Sequence, residues 1–279
     1  MQIPTSKKKF VLYSEPRTGS SFLSLWLNNH PEIRSHAEVF LRAQPGQDKF
    51  EFYCRNHALR KVLYRVFLNR FTVDMNPGLQ KNLIRGYLDK MFNDPTFSYP
   101  YKEGEDKTHY YPNPRFVTEK WVGFKLMRVQ MEFYPVLRDW LQQDDLSIIY
   151  LHRENPLKQL ISWYQLEQSG QAHSTEKFQA PKVTVDTNQL IKDLHAHQQN
   201  HQRNLQLIHR QPHLILSYEE LTGDSQKTAQ RMGDFLGIDF SETPLPSLQK
   251  VGKKDWTDAV TNAAEIKDAL SQVEFARYL

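Results

Sequence analysis

Short apolar runs rich in β-branched and aromatic residues alternate along this chain with segments whose apolar residues recur at helical spacing. The short runs predict strands at residues 10–14, 121–126, 147–151 and 213–218, with a second strand or a loop at 33–41. The other segments predict helices at residues 22–27, 49–71, 79–91, 131–141, 157–164, 187–209 and 224–236. Strands that alternate with helices favour an α/β fold with a mostly parallel sheet covered on both faces.

Several helix ends carry residues that suit them. Pro156 fits the first turn of the helix that follows it, and Asp186 is a candidate cap for the helix at 187–209. Gly237 stands directly after the helix at 224–236, where a glycine often ends a helix. These signals support the predicted helices independently of their apolar spacing.

No repeat or linker composition divides the chain, so we expect one domain over residues 1–279, with a helical insertion and lid at about 45–120. A long irregular loop is expected at 93–119, and such loops are often lids or binding loops. A second loop is expected at 168–185. The helix at 49–71 carries basic residues with few acids nearby, namely Arg55, Arg60, Lys61, Arg65 and Arg70. A solvated face is the default explanation of this charge, and an anionic partner, an acceptor pocket or a dimer contact are the alternatives.

Composition narrows the class of protein. The formal net charge of +4 fits an anionic ligand but is too small to indicate nucleic-acid binding, and we expect no nucleic-acid partner. The only cysteine, Cys54, excludes an intramolecular disulfide and zinc sites built on several thiolates. No signal-peptide core and no apolar stretch of membrane-spanning length is visible. We therefore expect a cytoplasmic protein without a transmembrane segment.

The stretch from residue 10 to 27 combines a predicted strand, a short turn and the start of a predicted helix. Backbone N–H groups and the helix dipole make such a turn suitable for an anion, and Arg17 adds a guanidinium group that matches phosphate or sulfate. The turn lacks the first glycine of a Walker A loop, and its basic residue precedes Gly19 instead of following it. Nucleoside triphosphate hydrolysis and nucleotide kinase activity are therefore poor fits.

The order Arg17, Thr18, Gly19, Ser20, Ser21, Phe22 resembles the 5′-phosphosulfate loop of sulfotransferases that use 3′-phosphoadenosine 5′-phosphosulfate (PAPS), especially bacterial carbohydrate sulfotransferases of the nodulation-factor and trehalose type. The resemblance implies a P-loop-like three-layer α/β/α fold and PAPS as sulfuryl donor, with 3′-phosphoadenosine 5′-phosphate (PAP) as product and no metal. It implies that the loop grips the reacting end of PAPS and that Phe22 takes the place of an adenine-stacking tryptophan.

Further motifs match the same family in its order along the chain. Arg153 after a strand and Ser162 on the next helix are similar to the family's 3′-phosphate site. Tyr218 lies in a segment similar to the family's adenine-contacting element. Lys250 lies in a loose match to the basic loop that closes over the 3′-phosphate. The resemblance thus covers residues 10 to 265.

The resemblance also implies a catalytic base. Met127 stands where cytosolic members have a histidine, and a thioether cannot accept the proton. In the bacterial carbohydrate branch a glutamate after the first helix serves, which here corresponds to Glu38, with His36 as the alternative base. Lys125 neutralises the transferring group in this scheme, or else is a structural lysine. The expected reaction is direct in-line sulfuryl transfer.

The acceptor is expected to be a carbohydrate hydroxyl or a small polar metabolite, with sulfation of a small natural product at nitrogen or oxygen as an alternative. A non-catalytic PAP-binding module and a homodimer also remain open. His197 and His201, four residues apart on a predicted helix, have a spacing that can chelate a metal. Without a nearby acid or a third ligand, we expect them to lie on a solvated helix face.

Overall fold

The computed structural model describes residues 7–41, 50, 77–94, 119–169, 181–247 and 255–279. Within these ranges the strands form one parallel sheet, and its order across the sheet is β2–β3–β1–β4–β5. The strands are β1 Lys8–Ser14, β2 Ile33–Glu38, β3 Trp121–Met127, β4 Leu146–His152 and β5 His213–Ser217. Because all strands run the same way, their carboxyl ends meet at one edge of the sheet, with β1 at its centre.

Helices connect these strands. They are α1 Ser20–Asn29, α2 Pro77–Asn93, α3 Gln130–Phe133, α4 Val136–Trp140, α5 Pro156–Ser169, α6 Thr187–Ile208, α7 Tyr218–Gly223, α8 Ser225–Leu236 and α9 Ala263–Ser271. Two 3₁₀ turns, Trp256–Ala259 and Glu274–Tyr278, flank α9. None of the helices in the described ranges combines the length and the apolar character that crossing a bilayer requires.

The alternation of β1 side chains divides the core into two layers. Leu12 packs in a buried cluster with residues of α1 and α8, including Leu27 and Met232. Tyr13, its neighbour, packs on the opposite face with residues of α2, α4 and α6, including Ile208. Successive residues of a strand point to opposite faces, so helices cover both sides of the sheet. The result is a three-layer α/β/α fold with the parallel sheet that the sequence pattern predicts, and of the P-loop-like kind that the resemblance implies.

A third buried cluster lies outside these two layers. It joins α5, the first half of α6 and the C-terminal segment through Leu157, Ile161, Leu190, Trp256 and Ile266. The cluster supports α5, the helix that starts just after β4.

Most predicted elements are confirmed within the described residues, including Asp186 as a helix N-cap and Gly237 as a helix C-cap. The prediction of one helix at 131–141 is wrong. The chain instead forms α3 and α4, separated by Tyr134, whose φ and ψ of −127° and 72° are not helical. Pro135 explains the break, because a proline disfavours helical conformation in the residue before it. Tyr218 also starts α7 instead of ending β5, since Ser217 caps that helix.

Parts of the predicted insertion and lid lie outside the described residues. They include the helix at 49–71 except Phe50, its basic residues, and nearly all of the loop at 93–119. The helix predicted at 79–91 is described and is confirmed as part of α2.

Candidate functional site

The chemistry-bearing residues gather at the carboxyl edge of the sheet, around β1. The connection that leaves β1 runs to the β3 side, whereas the one that leaves β3 crosses to β4 on the other side. Such a reversal opens a crevice beyond the strand ends, where open α/β sheets bind ligands. The loop between β1 and α1 lies at this crevice.

The backbone of this loop has a conformation suited to an anion. Arg17 and Gly19 have positive φ angles of 64° and 81°. Loops with left-handed residues turn successive N–H groups toward one concave side. α1 follows directly, with no acid in its first turn and no side-chain cap, so its dipole favours an anion there.

Two residues of the loop have roles that the sequence does not show. The fully buried hydroxyl of Thr18 donates to the carbonyl oxygen of Glu15 at 2.9 Å, so Thr18 stabilises the loop with its side chain. Gly19 cannot be replaced without strain, because a Cβ atom there would lie 2.8 Å from Cδ2 of Tyr218. The Tyr218 ring thus packs directly against the loop.

Arg17 and Arg153 lie close enough to repel each other. Burial lowers the pKa of the Arg17 guanidinium, and the positive charge of Arg153 lowers it further. Burial also lowers the pKa of Arg153, although Tyr218 and Glu219 act in the opposite direction. Two half-buried cations near each other are costly unless a negative charge joins them. The pair therefore fits an anionic ligand.

The surroundings of both arginines support this interpretation. The Arg17 Nε donates to the Ser162 hydroxyl at 3.0 Å. The Arg153 guanidinium carbon lies 4.6 Å from the Tyr218 ring centre. Its Nε is 3.7 Å from a Glu219 oxygen and makes no hydrogen bond within the described part of the chain. A buried N–H of this kind is available to a ligand.

Glu38 and Lys125 form the second half of the site. One oxygen of Glu38 lies 2.6 Å from the Lys125 Nζ, which also donates to the Ser21 hydroxyl at 3.0 Å. The other oxygen accepts from the side-chain amide of Gln130 at 3.0 Å. Glu38 is 9% exposed and Lys125 is 3% exposed. Lys125 thus joins the carboxylate of β2 to the first turn of α1.

A β-bulge places Glu38 on this face. His36 pairs with Phe124, and Glu38 pairs with the next residue, Lys125, so Ala37 is the extra residue. His36 shares its face with Phe124 and is fully buried, whereas Lys125 is in register with Leu12 and faces α1. The structure therefore brings Glu38, and not His36, together with Lys125 and Ser21.

Of the remaining residues predicted to bind the donor, three lie in the described part of the chain and one does not. Phe22 is half-buried beside the Trp26 ring, with ring centres 6.3 Å apart, and Ser20 is buried at the start of α1. Ser162 lies on α5 beside Arg17, as described above. Lys250 lies outside the described residues.

His197 and His201 are half-buried and contact other elements of the fold, so the expectation of a solvated helix face is wrong. His197 shares a hydrogen bond with the side-chain oxygen of Gln159, and His201 shares one with the Tyr150 hydroxyl, both at 3.0 Å. The His201 and His152 rings lie 4.9 Å apart. Within the described ranges no group of three or more candidate ligands has a metal-binding arrangement.

Sequence reasoning missed the glutamines of the site. Gln130 accepts from the Met127 N–H and donates to Glu38, and Gln159 donates to the Pro16 carbonyl oxygen at 2.7 Å. A glutamine on a helix is ordinary, and the sequence assigned neither residue a role. The available signals were that Gln130 closely follows a predicted strand and that Gln159 lies between Arg153 and Ser162, in the segment that resembles the 3′-phosphate site.

A protein-family model described as "Sulfotransferase domain" matches residues 7–262. A search of curated proteins found no match.

Solved structures that align with the chain include two sulfotransferases and a retinol dehydratase. The sulfotransferase domain of the Synechococcus PCC 7002 olefin synthase is 18% identical, with 97% of this chain and 90% of that one covered and a TM-score of 0.41. A sulfotransferase from Alicyclobacillus acidocaldarius is 14% identical, with coverage of 97% and 95% and a TM-score of 0.44. Retinol dehydratase in a complex with retinol and PAP is 13% identical, with coverage of 98% and 84% and a TM-score of 0.42.

Proposed function

The chain belongs to the sulfotransferase domain family, and from this premise we propose that it transfers the sulfuryl group of PAPS in line to a hydroxyl group of a carbohydrate or another small polar metabolite. The observation that carries the proposal is the pair Arg17 and Arg153, two half-buried cations brought to one edge of the sheet. PAPS supplies the sulfuryl group, and its 5′-phosphate leaves with the electron pair of the broken sulfur–oxygen bond.

The donor residues fall into two sets. Arg17 and the N–H groups of the loop and of the first turn of α1 bind the reacting phosphosulfate end, where negative charge grows during transfer. Arg153 and Ser162 bind the 3′-phosphate, which suits the unbonded Nε of Arg153. The contact from Arg17 to Ser162 joins the two sets, so both ends of the donor are held in one register.

The residues proposed to act on the acceptor lie next to the loop from Glu15 to Gly19, which we call the donor loop. Glu38 takes up the proton that the acceptor hydroxyl loses, as a general base within the cleft. Lys125 holds one oxygen of Glu38 and at the same time bonds Ser21 of α1. The base is therefore fixed relative to the donor loop. His36, on the opposite face of the sheet, takes no part in this proposal.

The donor assignment is tested by calorimetry with PAP. We expect Arg17→Ala and Arg153→Ala each to weaken PAP binding by about 10- to 100-fold, because each removes charged hydrogen bonds. Arg210→Ala is the control, since Arg210 is exposed and precedes β5 at the other edge of the sheet. Unchanged PAP affinity in both site variants would contradict the proposal.

The reaction and the acceptor class need a second experiment. Wild-type protein is incubated with sulfur-labelled PAPS and panels of sugars, phenols and amines, and mass spectrometry identifies the sulfated products. Label on a sugar hydroxyl supports the proposal, whereas label on an amine supports N-sulfation of a small natural product. PAP binding without any labelled product from these panels or from a metabolite extract would indicate a non-catalytic binding module.

A further inference from the structure

We propose that Gln159 is a positioning residue that holds the Arg17 backbone in its donor-binding conformation, with His197 fixing the orientation of the Gln159 amide. This proposal rests on the proposed function, because it concerns the loop that binds PAPS. Gln159 acts through Arg17 and need not touch the donor.

Gln159 joins α5 to the loop between β1 and α1. The Gln159 amide nitrogen donates to the Pro16 carbonyl oxygen at 2.7 Å, and Gln159 is only 4% exposed. The Pro16 carbonyl belongs to the peptide unit that leads directly into Arg17. This bond therefore fixes the peptide plane next to the residue whose φ is 64°.

The backbone conformation of Arg17 is strained. A residue with a Cβ atom in the left-handed region is strained, and such strain persists only where the surroundings determine it. α5 supplies two constraints on neighbouring residues, since Gln159 bonds Pro16 and Ser162 bonds Arg17. Gln159 and Ser162 are three residues apart, which places them on the same side of a helix.

Two hydrogen bonds fix the orientation of the Gln159 amide. Its oxygen lies 3.0 Å from the His197 Nε2, and its nitrogen faces the Pro16 carbonyl, which can only accept. The bond to His197 therefore requires a proton on Nε2. Burial, together with the nearby charges of His201, His152 and Arg128, lowers the pKa of His197 to about 4. A neutral His197 that donates from Nε2 is consequently stable near neutral pH.

The matched test uses two buried glutamines of the same helix. Gln165 is 6% exposed and donates to the Pro181 carbonyl oxygen at 2.9 Å, away from the loop. Gln159→Met and Gln165→Met remove the same kind of hydrogen bond while they keep the length of the side chain and add no charge. PAP affinity is measured by calorimetry, and the thermal unfolding midpoint checks that each variant folds.

We expect Gln159→Met to weaken PAP binding by about 3- to 10-fold, the effect of one lost hydrogen bond, and Gln165→Met to leave it unchanged. The backbone that Gln159 holds positions the Arg17 guanidinium, so the effect of Gln159→Met should become smaller in the Arg17→Ala background, which lacks that guanidinium. Equal PAP affinity of Gln159→Met and wild type would overturn the proposal. An undiminished effect in the Arg17→Ala background would do so too, since Gln159 would then act elsewhere.

A second variant covers the case in which Gln159→Met does not fold. His197→Ala leaves Gln159 in place but removes the group that orients its amide, and we expect a smaller loss of PAP affinity in the same direction. Unchanged affinity in His197→Ala would overturn the part assigned to His197. If Arg17→Ala and Arg153→Ala bind PAP as wild type does, the proposed function itself fails, and that outcome is separate from any effect of Gln159.

Discussion

At the scale of single residues, Glu38 has both carboxylate oxygens held by other side chains. Lys125 holds one oxygen and Gln130 holds the other. Gln130 suits this place because its amide accepts from the Met127 N–H and donates to the carboxylate at the same time. Held in this way, the carboxylate has a fixed orientation, which would favour proton transfer if Glu38 is the base that we propose.

We predict that Glu38→Gln lowers the turnover number by about 100-fold or more, since positioned proton transfer contributes at least that factor. PAP affinity should stay close to that of wild type, because the proposed role of Glu38 is on the acceptor side and not in donor binding. Steady-state kinetics and PAP calorimetry on the same preparation measure the two quantities.

The control for this change is Glu32→Gln. Glu32 pairs with Lys120 at 2.7 Å, just before β2 and at the opposite edge of the sheet. Its variant should keep both turnover and PAP binding. Full turnover in Glu38→Gln with intact PAP binding would mean that another residue is the base.

At the scale of elements, the bulge in β2 decides which side chain reaches the site. In a regular strand His36 and Glu38 would share one face, because side chains alternate with a period of two. The extra residue Ala37 turns Glu38 to the face of Lys125 and leaves His36 in the opposite core. No local sequence feature marks this bulge, so the sequence left both residues open as the base.

Helix α6 carries a polar stripe that faces the sheet. His197, His201 and Asn204 contact Gln159, Tyr150 and Glu15 respectively. Asn204 also accepts from the Tyr13 hydroxyl at 2.6 Å. The stripe supports the ends of β1 and β4 and the beginning of the donor loop, so the stability of α6 matters for the site.

We predict that Asp186→Ala lowers the free energy of unfolding by about 1 kcal/mol, the usual cost of a lost helix cap. Asp186 caps α6 by accepting from the Gln189 N–H at 3.0 Å. Urea denaturation measures the change. Asp186→Asn keeps an acceptor oxygen and should retain most of the stability. An equal loss in both variants would show that the charge, and not the cap, is what α6 needs.

At the scale of the whole molecule, three histidines between β4 and α6 couple stability to pH. Burial lowers the pKa of His152, His197 and His201, and that of His197 falls from 6.5 to about 4. The unfolded chain therefore binds protons at a higher pH than the folded chain. Stability contributed by these groups is full above a pH of about 6.5 and falls as the pH falls toward about 4.

We predict that the free energy of unfolding decreases as the pH falls from about 7 to about 5, and that His197→Gln flattens this dependence. Urea denaturation of the free protein at several pH values measures both slopes. The variant is compared with wild type because Glu15 acts in the opposite direction, since burial raises the pKa of its carboxyl group. Parallel slopes would show that His197 is not a source of the dependence.

Local pattern was enough for much of this fold. Strands, helices and caps follow from apolar spacing and from residues such as Asp186 and Gly237, because these preferences act within a few residues of the chain. The helix at 131–141 is the exception, since its apolar spacing continues across Pro135. The proline breaks the helix without breaking the pattern.

The sequence by itself determined the alternating α/β order and the motif from Arg17 to Phe22, and it left Glu38 and His36 as alternative bases. Only the tertiary structure showed that Glu38, and not His36, lies beside Lys125, and only it revealed the contacts of Gln130 and Gln159. The physical reason is distance along the chain, because Gln130 bonds Glu38 across 92 positions and Gln159 bonds Pro16 across 143. Such contacts depend on how β1, β2 and α5 pack, and a side chain's own neighbours in sequence carry no record of them.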